Sequence, residues 1–225
     1  MNKKILIVAA HPDDEVLGAG GIIQKYVKNN DKVYCLILGQ GEMSRLDSSE
    51  GKLAALKQQA YTSAKILGME DIFLLNFPDQ KFDCVDFLSI RRKVEEYIEK
   101  IQPDIIYTHY ENDLNQDHNI TFRAVIEACK PQRQGLPKEI YSFEVLSSTE
   151  WQLSGNKFKP NIYVDIENEI KGKINALQAY TSELRDYPHP RSEEGIKILA
   201  KYRGLECGKK YVEAFYLVRS IKNGI

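Results

Sequence analysis

The sequence has no apolar run long enough to cross a bilayer. Stretches such as Ile5-Leu6-Ile7-Val8-Ala9-Ala10 are strand-length, whereas a spanning helix needs about 20 such residues. An export leader is also missing. Lys3 and Lys4 precede only that short stretch, which runs into His11-Pro12-Asp13-Asp14 with no small-residue cleavage site. A cytoplasmic location is therefore expected. Cysteine is sparse: Cys35, Cys84, Cys129 and Cys207 lie far apart, with no C-x-x-C pair. That spacing excludes a cysteine zinc site and reads as reduced, mostly buried thiols. Charge of one sign is not in excess. The 31 Lys and Arg balance 32 Asp and Glu, and no basic stripe stands out, so nucleic acid is not an expected partner.

What is present is the composition of a folded protein. Hydrophobic residues make up 43% and charged residues 28% of the 225, enough for a real core. Apolar β-type runs at 4–10, 32–38, 71–76 and 104–108 alternate with helical patterns at 18–29, 48–67, 86–101 and 117–129. This order predicts an α/β fold: a Rossmann-like, doubly wound, mostly parallel sheet with helices on both faces. The second part is more elaborate. Strands are expected at 139–146, 161–166 and 214–219, and helices at 169–179 and 192–203. No composition break marks a boundary, so residues 1–225 read as one domain. In such sheets ligands bind beyond the carboxyl ends of the strands, which directs attention to the loops after residues 10, 38, 76 and 108.

The first of those loops carries Ala10-His11-Pro12-Asp13-Asp14-Glu15. Three adjacent carboxylates repel one another unless a cation or hydrogen bonds offset the cost. One could cap the following helix, but a cap needs one acceptor, not three. A metal uses the whole group. His11 and Asp14 can ligate from one turn, and Asp13 is left to act on an activated water. The loop after residue 108 brings His109-Tyr110-Glu111-Asn112-Asp113-Leu114-Asn115-Gln116-Asp117-His118 to the same edge. His118 is the natural third ligand. Three protein ligands plus water is the usual catalytic zinc arrangement, and a His/Asp/His set also suits other divalent ions such as Fe2+.

These residues resemble the LmbE-like, or PIG-L-type, deacetylases. The family's first motif, A-H-P-D-D-E, matches residues 10–15 completely. Leu17-Gly18-Ala19-Gly20-Gly21, Arg203-Gly204 and Ala214-Phe215 are also family-like, so the resemblance runs over the whole chain. It implies a zinc hydrolase that removes acetyl groups from N-acetylglucosamine-type sugars or conjugates. His11, Asp14 and His118 would bind Zn2+, and Asp13 would be the general base. The second motif commonly reads H-P-D-H; here it is Asn115-Gln116-Asp117-His118. Asn115 can donate a hydrogen bond to an oxyanion but cannot change charge near neutral pH.

Another acid could replace the usual histidine: Asp13 once protonated, His109, or His189 in the loop Tyr187-Pro188-His189-Pro190-Arg191. Asp117, His109 and Glu15 are expected to orient the ligands. Arg45 and Asp79, on neighbouring carboxyl-edge loops, are expected to touch the sugar. Relatives often form trimers or hexamers, so a homo-oligomer is consistent with the resemblance. Two other readings compete. One is a non-catalytic sugar- or nucleotide-binding module, although Ile23 breaks the G-x-G-x-x-G fingerprint. The other is an amidase or deformylase acting on a related conjugate.

Overall fold

A computed structural model describes residues 2–41, 49–131, 135–152 and 155–222. Among the described residues, strand β1 (Lys4–Ala9) lies inside a seven-stranded sheet and is flanked by β2 (Lys32–Gly39) and β4 (Ile105–His109). The remaining strands are β3 (Asp71–Phe77), β5 (Glu139–Phe143), β6 (Ile162–Asp165) and β7 (Val212–Ser220). Their order across the sheet is β3-β2-β1-β4-β5-β7-β6. The first five run parallel, whereas β7 is antiparallel to both β5 and β6. The α/β, mostly parallel expectation is met.

Alternation within β1 explains the layers. Ile5, Ile7 and Ala9 enter one core with α1 (Asp14–Lys28), α2 (Glu50–Leu67) and α5 (Ile170–Gln178). Leu6, Val8 and Ala10 enter the other with α3 (Phe87–Ile101) and α4 (Gln116–Ala128). Burial on both faces is what a strand that is apolar from Ile5 onward requires. Helix α6 (Glu193–Leu205) starts on a Ser192 cap, whose Oγ accepts from Gly195 N at 2.9 Å.

Two boundaries differ from the expected ones by more than two residues. Helix α1 starts at Asp14 rather than at 18, so the acidic motif itself forms its first turn. Carboxylates are favoured there by the helix dipole. Strand β5 stops at Phe143 rather than at 146. The Val145 N–H turns away from the sheet to Thr149 Oγ1, 2.8 Å away, and residues 144–150 become a wall at the carboxyl edge.

Helix α1 packs unusually close to the sheet. A Cβ at Gly18 would meet the Phe143 ring at 2.2 Å, so only glycine fits. Further along, Glu213 of β7 accepts from Gly21 N and Ile22 N, each at 2.7 Å. The same carboxylate takes Lys173 Nζ of α5 at 2.7 Å, and Lys173 also donates to the Leu17 carbonyl at 2.8 Å. This buried ion pair ties α1 to two C-terminal elements.

Candidate active site

Strand order reverses between β1 and β4, and the loops after these two strands meet there, where such sheets form their crevice. A cavity of about 310 Å³ opens at this point. One donor atom from each of His11, Asp14 and His118 lies within 4.8 Å of the others, and all three residues are buried. Two imidazoles and a carboxylate at this spacing form a set able to hold a divalent metal.

Hydrogen bonds orient each ligand candidate. Asp117 Oδ2 lies 2.9 Å from His11 Nε2, and Asp113 Oδ1 lies 3.2 Å from His118 Nδ1. Asp117 also accepts from Gln80 N and Phe82 N, at 2.8 and 3.0 Å, so it clamps the loop after β3 as well. Asp113 is itself held by the hydroxyls of Ser148 and Thr149. Carboxylates behind metal-binding histidines serve this purpose. Asp117 therefore orients His11. Asp113, which the sequence reading left without a role, orients His118.

The electrostatics favour a cation. Burial alone would push His11 down, but hydrogen bonds to Asp117 and Asp14 outweigh it and raise its pKa to about 10. His118 is likewise raised to about 9: burial opposes charging, but the nearby Asp14 charge and the Asp113 hydrogen bond win. Asp14 is held well below the usual carboxylate range. Burial works against its ionisation, but the His118 charge and bonds from both imidazoles prevail. The surrounding carboxylates favour the protonated, positively charged form of both imidazoles. A divalent ion would supply the same positive charge, so the donor set fits a metal.

Asp13 stands apart. It precedes α1 with φ 96°, in the left-handed region that costs a non-glycine residue about 1–3 kcal/mol, and its side chain makes no capping bond. Glu15 holds the conformation by accepting from Asp13 N at 3.1 Å, and Tyr180 donates to Glu15 at 2.6 Å. Burial raises Glu15 to about 8. The Asp13 carboxylate is thereby aimed into the cavity. Burial raises it to about 7, opposed by Arg191, whose Nη1 lies 3.1 Å away.

Arg191 is a residue that sequence reasoning missed. It bridges Asp13 and Glu183, each at 3.1 Å, and donates to Ser147 Oγ at 2.8 Å. The chosen residue of that loop, His189, is exposed and does not line the cavity. Its Nδ1 accepts from Arg191 N at 3.1 Å, so it shapes the turn that presents Arg191. The signal for Arg191 was weak: a lone arginine two residues from a more eye-catching histidine.

His109 also sits differently from a proton donor. Its Nε2 accepts from Ala10 N at 2.8 Å, and its ring stacks on His118 at 3.9 Å. Burial and the His118 charge push its pKa well below the usual value, so it is neutral and walled off from the cavity. Asn115 caps α4: its Oδ1 accepts from Asp117 N at 2.9 Å. That bond fixes the orientation of the amide and leaves the NH2 group at the cavity lining. Asp79 lies on the wall with Oδ1 3.3 Å from His11 Nε2, closer to the ligand candidates than a sugar-binding position would require. Arg45 lies outside the described residues.

A Rossmann-like sheet with a buried His/Asp/His cluster and a neighbouring carboxylate at its switch point is the architecture of a metal-dependent hydrolase. The chain belongs to the PIG-L family, whose model, described as GlcNAc-PI de-N-acetylase, matches residues 6–129. The diacetylchitobiose deacetylase of Thermococcus kodakarensis is 28% identical over 231 residues, covering 97% of this chain and 84% of that one. A probable N-acetyl-alpha-D-glucosaminyl L-malate deacetylase 2 of Bacillus cereus is 28% identical over 196 residues, covering 81% and 84%. The solved N,N'-diacetylchitobiose deacetylase of Pyrococcus horikoshii superposes with a TM-score of 0.79 at 24% identity, covering 96% of this chain and 84% of that one. Among the described residues no helix is long and apolar enough to cross a membrane.

Proposed function

We propose that the protein is a metal-dependent deacetylase that hydrolyses the N-acetyl group of an N-acetylglucosamine-type sugar or sugar conjugate. The observation that carries this reading is the Asp13 carboxylate, aimed into the cavity beside His11, Asp14 and His118 and tied to Arg191 rather than to the helix end. His11, Asp14 and His118 would hold the ion, with Zn2+ the metal of choice and Fe2+ the second. When bound, the ion supplies a Lewis acid that acidifies water and polarises the amide carbonyl.

The chain's own residues do the rest. Asp13, when ionised, takes a proton from the attacking water. Arg191 steadies that carboxylate and limits how far burial can raise it. The Asn115 NH2 group, on a residue that lines the cavity, would donate to the oxygen that gains charge. Asp13, now protonated, is the nearest group able to return the proton to the leaving nitrogen, because His109 is walled off and His189 is outside the cavity.

The test is amine release from a panel of N-acetylglucosamine compounds, using protein of known metal content, with and without chelator. Chelator-sensitive release from any member is expected. A metal-loaded protein inert on the whole panel would overturn the reading.

A further inference from the structure

A second, larger concavity of about 800 Å³ lies against the catalytic cavity. Both use the stretch that leaves β5, and its residues divide between them. Val145, Ser147 and Ser148 line the catalytic side, whereas Glu144, Leu146 and Thr149 line the other. The 187–191 loop divides in the same way: Arg191 faces the metal side, and Tyr187 and Pro190 face the groove. The Arg191 Nε to Ser147 Oγ bond, 2.8 Å, joins these two stretches into one wall a single chain thick. Both hollows therefore lie beyond the same carboxyl edge of the sheet.

Their linings contrast. The catalytic side is dominated by carboxylates and imidazoles. The groove presents Tyr163, Tyr187, Ile198 and Tyr202, which are 37, 63, 45 and 54% exposed, with Phe158 at its floor. A volume within the usual 300–1,000 Å³, aromatic walls and flanking charges of both signs, Glu144, Glu150, Lys157, Lys159, Arg203 and Glu206, describe a small-molecule site rather than a flat protein interface. Tyrosine rings offer a flat apolar face to the C–H face of a ring, and their hydroxyls remain for polar contacts.

We propose that this groove receives the ring-bearing remainder of the substrate, the group attached to the acetamido sugar, with the linkage crossing the wall at Ser147. The inference rests on the deacetylase reading for the cavity next door. Occupancy has a second effect built in. Thr149 lines the groove and also holds Asp113, and Pro190 precedes Arg191, so a filled groove steadies the wall that positions both.

The experiment compares N-acetylglucosamine with its 4-methylumbelliferyl glycoside on the full chain. Binding is read by fluorescence or calorimetry, and turnover by amine release. The glycoside is expected to bind roughly tenfold more tightly, the effect of one well-packed aromatic contact. Tyr202→Ala and Ile198→Ala, both on the exposed face of α6, should remove that gain and leave N-acetylglucosamine binding and the melting temperature unchanged. Equal affinity for the two sugars, or a gain that survives both substitutions, overturns the proposal. An oligomer in sedimentation that Tyr202→Ala dissolves also overturns it, because the groove would then belong to a second copy. A tyrosine-dependent gain with no amine release from either sugar upholds the groove and leaves the hydrolase reading to the full panel. Amine release with no gain upholds the hydrolase reading and sinks the groove.

Discussion

The two halves of the chain contribute opposite things to the site. The parallel half, through the loops after β1 and β4, delivers donors: His11, Asp13, Asp14, Asp113, Asp117 and His118. The C-terminal part delivers what steadies them: Arg191 against Asp13, the Ser148 and Thr149 hydroxyls against Asp113, and Tyr180 against Glu15. The first set decides whether a metal can be held. The second decides how its neighbours ionise and point. The same division separates what can be seen in sequence from what cannot.

The sharpest test of the division is His118→Ala, which should abolish both metal content and turnover, read by elemental analysis and amine release. The protonation of the two imidazoles adds a signature. Both must lose a proton to ligate, so metal uptake at pH 7 should release about two protons and tighten as pH rises. Calorimetry in buffers of different ionisation heat measures this, and uptake without proton release would contradict the charged-imidazole picture. Next in size is Asp13→Asn, expected to cost about 10²–10⁴-fold in rate with the metal retained. An unimpaired variant would remove Asp13 as the base.

Arg191→Ala tests the other half. Removing the guanidinium deletes the charge that opposes burial at Asp13, so the carboxyl holds its proton to higher pH. The base works only when ionised, so the acid limb of the rate profile should move upward. The rate at pH 7 should fall by about tenfold to hundredfold, the worth of one charged hydrogen bond. Metal content should not change; if it did, the two halves would not be separable. Asn115→Ala should remove a helix cap worth about 1 kcal/mol and lower the melting temperature by roughly 2–4 °C, with a further drop in rate if its NH2 group is used. The smallest effect is expected for His189→Ala, within about 0.5 kcal/mol of wild type and with a rate lowered by about twofold at most through the turn that presents Arg191.

The layered sheet was legible because β1 is apolar on both faces and because helical and strand periods alternate so regularly. His11, Asp13 and Asp14 were legible because one turn of chain carries them, and His118 because a strand end leads to it. Asp113 and Asp117 show the limit. Both are visible as acids, but which histidine each serves depends on packing: Asp117 meets His11 and Asp113 meets His118. Arg191 and Glu183 are joined to Asp13 only by tertiary contact across more than half the chain, and nothing local marks them. His189 attracted notice as a histidine between prolines, yet the turn it shapes points its neighbour inward.

Glu213 sets an order of events during synthesis. It is 192 residues from Gly21, whose amide it accepts. At roughly 5–20 residues per second, a ribosome delivers the motif at residues 10–15 about 10–40 s before the strand that anchors its helix. For that interval the Leu17 carbonyl and the amides of Gly21 and Ile22 lack the buried partners they have in the finished protein. Lys173 and, 40 residues later, Glu213 then supply the contacts that hold α1 against the sheet. The motif at residues 10–15 is thus made well before the contacts that anchor its helix, and a chain stopped short of β7 would carry the whole motif without Glu213 to hold α1.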